Sequence, residues 1–316
     1  MTNNNKNLTR LVFVVGPVRS GSTLLRLMLN SHPAISNPGE FDFLFDLVSD
    51  SGMFPELPAY EHWLRNDRIF RSTGLEIESS ASYSELINSF IRQLEHKDKL
   101  LTINIHRHFH RIPILFPDAR FLHILRDPRD VARSCIGMGW VGHVYFGTDI
   151  WVEAERSWDL LKSTLSRNRY LEIKYEYILE DVTRGLTEIC DFLGVPYSDR
   201  MLDYAEHTTY GLPDKRLCYQ WKKKYTQREL QLVEGKISKM LVERGYELSG
   251  LPLDEPGWME LVGIRFQNKL YRIKHGTKTY GLILYLGWVL SRKLGIRRWR
   301  EASQLKIDQI DMQNLK

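Results

Sequence analysis

Residues 11–31 read LVFVVGPVRSGSTLLRLMLNS, and the fold turns on how they are interpreted. Leu11 to Val15 is an apolar run, mostly β-branched, the pattern of a strand buried on both faces. It stops at Gly16 and Pro17. Arg19-Ser20-Gly21-Ser22-Thr23 follows, and then apolar residues at helical spacing: Leu24, Leu25, Leu27, Met28 and Leu29. A strand, a tight glycine-containing loop and a helix is how α/β proteins build a phosphate site. The loop N–H groups converge on the anion, and the helix N-terminus adds a favourable dipole. The bland alternative is an ordinary strand-to-helix turn. Laid on the pattern G-x-x-x-x-G-K-[ST], Gly16, Gly21 and Thr23 fit, but Ser22 stands where the lysine belongs. Triphosphate chemistry normally needs that lysine on the terminal phosphates and a metal beside it. Here the cation is Arg19, three residues earlier, so the loop suits a phosphate-like group handled in another way.

A second anion site is legible further on. Arg120 to Leu125 reads as a strand and runs into Arg126-Asp127-Pro128-Arg129-Asp130. Pro128 and Asp130 fit the first turn of a helix, which then carries Ser134. Arg126 and Ser134 are candidates for a second phosphate; the alternative is a structural Arg–Asp network. Leu100–Ile105 and Tyr170–Lys174 are the other strand candidates, the latter followed by Tyr175-Glu176. Asn30 to Gly39 reads as a loop that delivers Glu40 close to the end of the phosphate-site helix. Phe41 to Val48 is expected to be a helix covering the core. Ser49 to Ser82 reads as an insertion with short helices around Tyr60 to Phe70, placed to shape an acceptor pocket. His106, His108 and His110 alternate, but no cysteine or close carboxylate accompanies them. Surface positions or a cationic wall suit them better than a metal site.

Helical spacing recurs at Tyr83–His96, Asp149–Leu165, Asp181–Leu193 with Gly194 as C-cap, Leu202–His207 and Trp258–Ile273. It recurs again at 226–245, which opens on a Thr226/Glu229 capping-box spacing. Gly137 to Gly147, glycine-rich and aromatic, reads as a mobile segment near a ligand or simply as a long loop. The basic, aromatic stretch Thr208–Tyr225 is either a solvated face or a cover for a nucleotide. Residues 280–290, YGLILYLGWVL, are apolar and then basic through Arg300. The run is too short to span a bilayer. It either packs on its own domain or a partner subunit, or lies on a membrane surface through residues 280–300.

Composition limits the rest. A net charge of +5 suits an anionic substrate and is too mild to argue for nucleic acid. Three cysteines, Cys135, Cys190 and Cys218, have no metal-ligand spacing and read as reduced thiols of a cytoplasmic protein. The polar start, MTNNNKNLTR, has no apolar signal core, so neither secretion nor an N-terminal anchor is expected, and residues 1–9 are expected to be frayed.

Two anion loops, one with Arg19 and one with Arg126 and Ser134, suit a single ligand with phosphate-like groups at both ends. The chain resembles the sulfotransferases that use 3′-phosphoadenosine 5′-phosphosulfate (PAPS). VVGPVRSGSTLLRLMLNSHP is similar to their 5′-phosphosulfate loop, in the arginine form of the tyrosylprotein sulfotransferases and bacterial relatives. FLHILRDPRDVARS is similar to their 3′-phosphate motif. LEIKYEYILEDVTRGLTEICDFLGVPY resembles the strand and helix that complete their core. The resemblance covers residues 10–250, with 49–100 as an acceptor-side insertion and 251–316 as a C-terminal helical extension. It implies a P-loop-like three-layer α/β/α fold with a parallel central sheet and helical insertions. It also implies PAPS as donor without a metal, and in-line sulfuryl transfer to a hydroxyl of a small molecule, sugar, lipid or peptide.

Carried over by residue, Arg19 would hold the phosphosulfate and stabilise the transferring group, and Ser20, Gly21, Ser22 and Thr23 would cradle it. Arg126 and Ser134 would bind the 3′-phosphate, with Tyr175 near the nucleotide. Glu40 would be the general base, with Asp42 or His106 as substitutes; the alternative for Glu40 is a structural carboxylate capping the next helix. Many relatives carry a lysine after the strand at 100–105; here no lysine follows, and His106, Arg107 or Arg19 alone must serve. The rival readings are a P-loop kinase or nucleotide hydrolase, and a non-catalytic nucleotide-binding protein of the same fold.

Overall fold

The computed structural model describes residues 11–314, with side chains to residue 311; the expected frayed stretch at 1–9 lies outside the described residues. In chain order the elements are β1 (Leu11–Val15), α1 (Ser22–Ser31), β2 (Ile35–Ser36), α2 (Leu57–Leu64), α3 (Arg68–Thr73), α4 (Tyr83–Leu94), β3 (Leu100–Ile105) and α5 (Ile112–Leu115). Then come β4 (Arg120–Leu125), α6 (Pro128–Gly137), α7 (Val144–Lys162), β5 (Tyr170–Lys174), α8 (Tyr175–Glu180) and α9 (Val182–Leu193). The chain continues through α10 (Tyr204–His207), α11 (Trp221–Lys224), α12 (Gln227–Glu243), α13 (Trp258–Tyr280), α14 (Leu282–Leu294) and α15 (Arg297–Asn314). It divides into two compact units. One runs to Asp127 and resumes over Trp151–Gln220; the other takes Pro128–Ile150 and Trp221 onward.

The first unit is built on a five-stranded sheet in the order β2-β3-β1-β4-β5, every pair parallel. Parallel strands covered on both faces read as continuous apolar runs, and β1 is buried at all five positions. Its side chains alternate between two cores. Leu11, Phe13 and Val15 meet Ile103, Ile105, Phe121 and residues of α4 such as Leu86 and Phe90 on one side. Val12 and Val14 meet Leu122, Ile124 and Ile173 with Leu25, Met28 and Leu29 of α1 and Leu186 and Ile189 of α9 on the other. Helices on both faces of a parallel sheet make the three layers that the family resemblance implied.

Several local expectations change. Phe41–Val48 is apolar and covers the core, but only one 3₁₀ turn, Asp42–Leu44, forms there. The carbonyls that would sustain a helix are taken by side chains from elsewhere: Tyr60 Oη donates to Phe43 O at 2.8 Å, Tyr83 Oη to Leu44 O, and Arg111 Nη1 to Phe45 O at 3.1 Å. The loop Asn30–Gly39 contains β2, and Glu40 forms a parallel bridge to Asn104. Tyr175-Glu176 opens the short helix α8. The insertion has its two short helices, α2 and α3, as expected.

In the second unit, α7 begins at Val144, so the glycine-rich loop is shorter than expected. Gly147 is a helix-packing glycine: a Cβ there would lie 2.7 Å from the Ala132 carbonyl of α6. α12 opens on the capping box expected from Thr226 and Glu229, and α13 runs one to two turns beyond the expected Ile273. Among the described residues no helix is long and apolar enough to cross a membrane.

Candidate active site

Every site residue in the first unit lies just past the C-terminal end of a parallel strand, where open α/β sheets bind ligands. β1 ends at Val15 and turns through Gly16–Gly21 into α1. The turn is tight. A Cβ on Gly16 would lie 2.4 Å from the Ile124 carbonyl of β4. Ser20 N donates to Pro17 O at 3.2 Å. Arg19 has φ 69°, and Gly21, the N-cap of α1, has φ 94°. A non-glycine residue in the left-handed region costs roughly 1–3 kcal/mol, so the backbone at Arg19 is held against its preference. No side chain caps α1, leaving the helix N-terminus to the loop.

Arg126, directly after β4, ties this loop to the rest of the site. Its Nη1 donates to Arg19 O at 3.0 Å and its Nη2 to Leu217 O at 3.0 Å. Its guanidinium carbon sits 4.6 Å from the centre of the Tyr175 ring. Tyr175, buried at the start of α8, presses against Gly21, where a Cβ would lie 2.2 Å from the ring. Arg19, Ser20, Gly21, Arg126 and Tyr175 are therefore brought together. Two buried polar atoms in this group lack a protein partner among the described residues: Ser20 Oγ and Arg126 Nε. Buried polar groups are normally paired, and two orphans beside an anion loop fit a site that expects an anionic ligand. Beside Tyr175, a cavity of about 410 Å³ is lined by Glu176, Tyr177, Lys215, Cys218 and Tyr219. The stretch 214–219 of the basic loop is thus drawn to the same strand ends.

The other half of the site is a buried polar chain. Ser22 Oγ lies 3.0 Å from His106 Nε2, and His106 Nδ1 lies 3.1 Å from Asp42 Oδ2. The His106 backbone N–H donates to Asp42 Oδ1 at 2.7 Å. Burial disfavours charge on His106, but the Asp42 carboxylate, with Glu40 adding to it, outweighs that and raises the pKa above the ordinary 6.5. Burial likewise opposes the Asp42 charge, and the His106 imidazole overcomes it, so its pKa is lowered. A protonated His106 donates from Nδ1 to Asp42 and from Nε2 to Ser22. Glu40 reaches this region through its bridge to Asn104, so it lies by the start of α1 rather than its end. Asn104 Nδ2 donates to Ser22 O at 3.3 Å, and Asn37 Nδ2 to Asn104 Oδ1 at 3.0 Å.

Arg107 makes a two-pronged contact of 2.6 Å and 2.6 Å with Asp46, and its Nη1 lies 3.6 Å from Asp42 Oδ2, the oxygen that holds His106. His110 pairs with Asp50 and Ser157. Of the three alternating histidines only His106 faces the phosphate loop. Thr23 lies in the first turn of α1. Ser134 lies on α6, in the second unit. The buried pair Asn37 and Asn104 was missed in the sequence, where an asparagine inside an apolar strand was the one available sign.

A parallel strand–loop–helix unit with an arginine in its loop, and a second arginine at the end of the neighbouring strand, fits a phosphate-type anion site on an α/β fold. The sequence model described as the sulfotransferase family matches residues 12–199, and the chain belongs to that family. The protein-tyrosine sulfotransferase of Drosophila melanogaster is 25% identical over 219 residues, covering 62% of this chain and 40% of that protein. Protein-tyrosine sulfotransferase 1 of Danio rerio is 24% identical over 216 residues, covering 64% and 58%. The matched stretch is thus only part of these relatives. Among solved structures, the sulfotransferase domain of the Synechococcus PCC 7002 olefin synthase superposes with a TM-score of 0.57 at 23% identity, covering 75% of this chain and 95% of that one. The sulfotransferase domain of the curacin biosynthetic pathway gives 0.54 at 19% identity, covering 75% and 98%. These two share the fold.

Proposed function

We propose that the chain transfers a sulfuryl group from PAPS to an acceptor hydroxyl by in-line displacement. The acceptor oxygen bonds to sulfur, the bond from sulfur to the 5′-phosphate oxygen breaks, and the hydroxyl proton leaves to Glu40. The observation that carries this reading is the arginine-bearing loop with its buried, partnerless Ser20 Oγ beside Arg126 and Tyr175. In a member of this family it fits a phosphosulfate. Arg19 stabilises charge on the transferring group, and Ser20, Gly21, Ser22 and Thr23 cradle the phosphate. Arg126, with Ser134 assigned on the sequence motif, serves the 3′-phosphate, and Tyr175 packs by the nucleotide. His106, held by Asp42 and donating to Ser22, supplies the positive charge that relatives take from a lysine. Arg107 is engaged by the Asp46 and Asp42 carboxylates.

The acceptor class stays broad: a hydroxyl of a small molecule, sugar, lipid or peptide. The relatives named protein-tyrosine sulfotransferases support a hydroxyl acceptor. A positioned general base contributes about 10²–10⁴-fold. Glu40→Gln should therefore lower release of PAP (the desulfated donor) from PAPS with a phenol acceptor by at least about a hundredfold, while PAP still protects the protein against heat. Unchanged turnover would overturn the assignment of Glu40. Turnover absent from wild type with every class of hydroxyl acceptor, despite tight PAP binding, would favour the non-catalytic reading.

A further inference from the structure

The second unit carries a surface that the donor site does not use. Along α13, Trp258, Met259, Val262, Phe266 and Leu270 are all exposed, Trp258 by 77% and Phe266 by 67%. At helical spacing these five fall on about one third of the circumference. Up to Tyr271 a different side of the helix does the packing. Ile264 is buried, Asn268 Oδ1 accepts from Gly142 N at 2.6 Å, and Tyr271 Oη donates to Ile136 O at 3.1 Å. α14 repeats the pattern. Leu282, Ile283, Leu286, Leu290 and Leu294 are exposed, while Tyr285 and Ser291 are buried. Tyr285 packs on Gly276 of α13, where a Cβ would lie 2.1 Å from its ring. Apolar stripes of this length are uncommon on the surface of a protein that meets only water.

The charges beside the stripes have one sign. Residues 258–300 hold ten lysines and arginines and a single acid, Glu260, which Arg228 already binds at 2.8 Å and 2.6 Å. The whole chain carries only +5, so the remainder is net negative and the positive charge is concentrated here. By helical spacing Arg265 and Arg272 border the α13 stripe on one side and Lys274 on the other, and Lys269 falls within it, next to the edge marked by Trp258. A second copy of the chain on this face would set like charges against each other. An anionic lipid surface would neutralise them and take the apolar stripes, including a tryptophan suited to the headgroup boundary. No described helix is long and apolar enough to cross a bilayer, which leaves a helix lying in the interface.

We propose that α13 and α14 are a peripheral docking surface for an anionic bilayer, with the apolar stripes at the headgroup–acyl boundary and the flanking lysines and arginines on the lipid phosphates. The proposal rests on the second unit alone and stands apart from the donor-site reading. The test is co-sedimentation of the full chain with vesicles of phosphatidylcholine alone and of phosphatidylcholine mixed with phosphatidylglycerol. The expected result is binding to the anionic vesicles only, weakening as salt rises. Trp258→Glu with Phe266→Glu should lower the partition coefficient by at least about tenfold. Lys269→Glu with Arg272→Glu should lower it by about fivefold or more per residue. All four positions are exposed, and circular dichroism reports whether the fold is kept. Failure of the wild type to sediment with anionic vesicles at low salt overturns the proposal. So does a Trp258/Phe266 variant that binds like wild type, since only adsorption of charge would then remain. A dimer that this variant dissolves would assign the face to a second copy instead.

Discussion

At the residue scale the site depends on two kinds of contact that tolerate little change. Gly21 has both a positive φ and a Tyr175 ring where a side chain would begin. Gly21→Ala should cost about 1–3 kcal/mol of stability, seen as a lower urea midpoint, and should weaken PAP binding because Tyr175 must move. The Asp42–His106 pair is buried, and removing one partner of such a pair costs about 3–5 kcal/mol. Its pH dependence has a definite sign. The folded pKa of His106 lies above 6.5, so its contribution is fully present below 6.5 and is lost as pH rises through the folded value. Asp42 is lowered from 3.8, so its contribution is present above 3.8 and is lost as pH falls through the folded value. The stability gap between wild type and His106→Gln should be widest between about pH 4 and 6.5 and narrower at about pH 9. Urea unfolding at the three pH values checks this. A gap that widens toward alkaline pH would mean that His106 is neutral in the native protein.

At the element scale, the strands of the central sheet were legible wherever they run for five or six residues. β1, β3, β4 and β5 have the bounds expected from the sequence; β1 is an unbroken buried apolar run, whereas the edge strand β5 is buried only at Ile173 and carries Glu172 and Lys174. β2 has only two residues, and pairing with β3 alone makes it a strand. Phe41–Val48 misled for the opposite reason. Its apolar residues do cover the core, but Tyr60, Tyr83 and Arg111, remote in sequence, claim the carbonyls a helix would use. Capping, by contrast, is local and was visible. Thr226 accepts from Glu229 N at 3.2 Å, and Glu229 Oε2 accepts from Thr226 N at 2.8 Å. Thr226→Ala should destabilise α12 by about 1 kcal/mol, measurable as a lower urea midpoint, with PAP binding unaltered.

At the scale of the whole molecule, ligand binding and charge distribution are the observables. A ligand that binds only the native state adds about 2.7 kcal/mol of stability at a hundred times its dissociation constant. PAP at that excess should raise the melting temperature by several degrees, and a metal chelator should leave the shift unchanged. A shift produced only by ATP with magnesium would instead point to phosphoryl chemistry. Charge is uneven as well. The mild total of +5 conceals a strongly basic stretch at 258–300, and this stretch, rather than the net value, governs what the surface attracts.

The sequence by itself determined the strand, loop and helix around Arg19, the second arginine after β4, the strands that carry them and the family. Each of these is written in residues adjacent in the chain, where composition and spacing have direct physical meaning. The tertiary structure decided which of the candidate side chains meet. Asp42 and His106 are 64 residues apart, and Ser22 and His106 are 84 apart. Their contact exists because parallel β1 and β3 end side by side, and Glu40 is bridged to Asn104 of β3. It also decided that Arg107, the neighbour of His106, is held by Asp46 and lies beside Asp42, while His106 meets Ser22. No local pattern says which residue past the end of a strand a distant loop will reach.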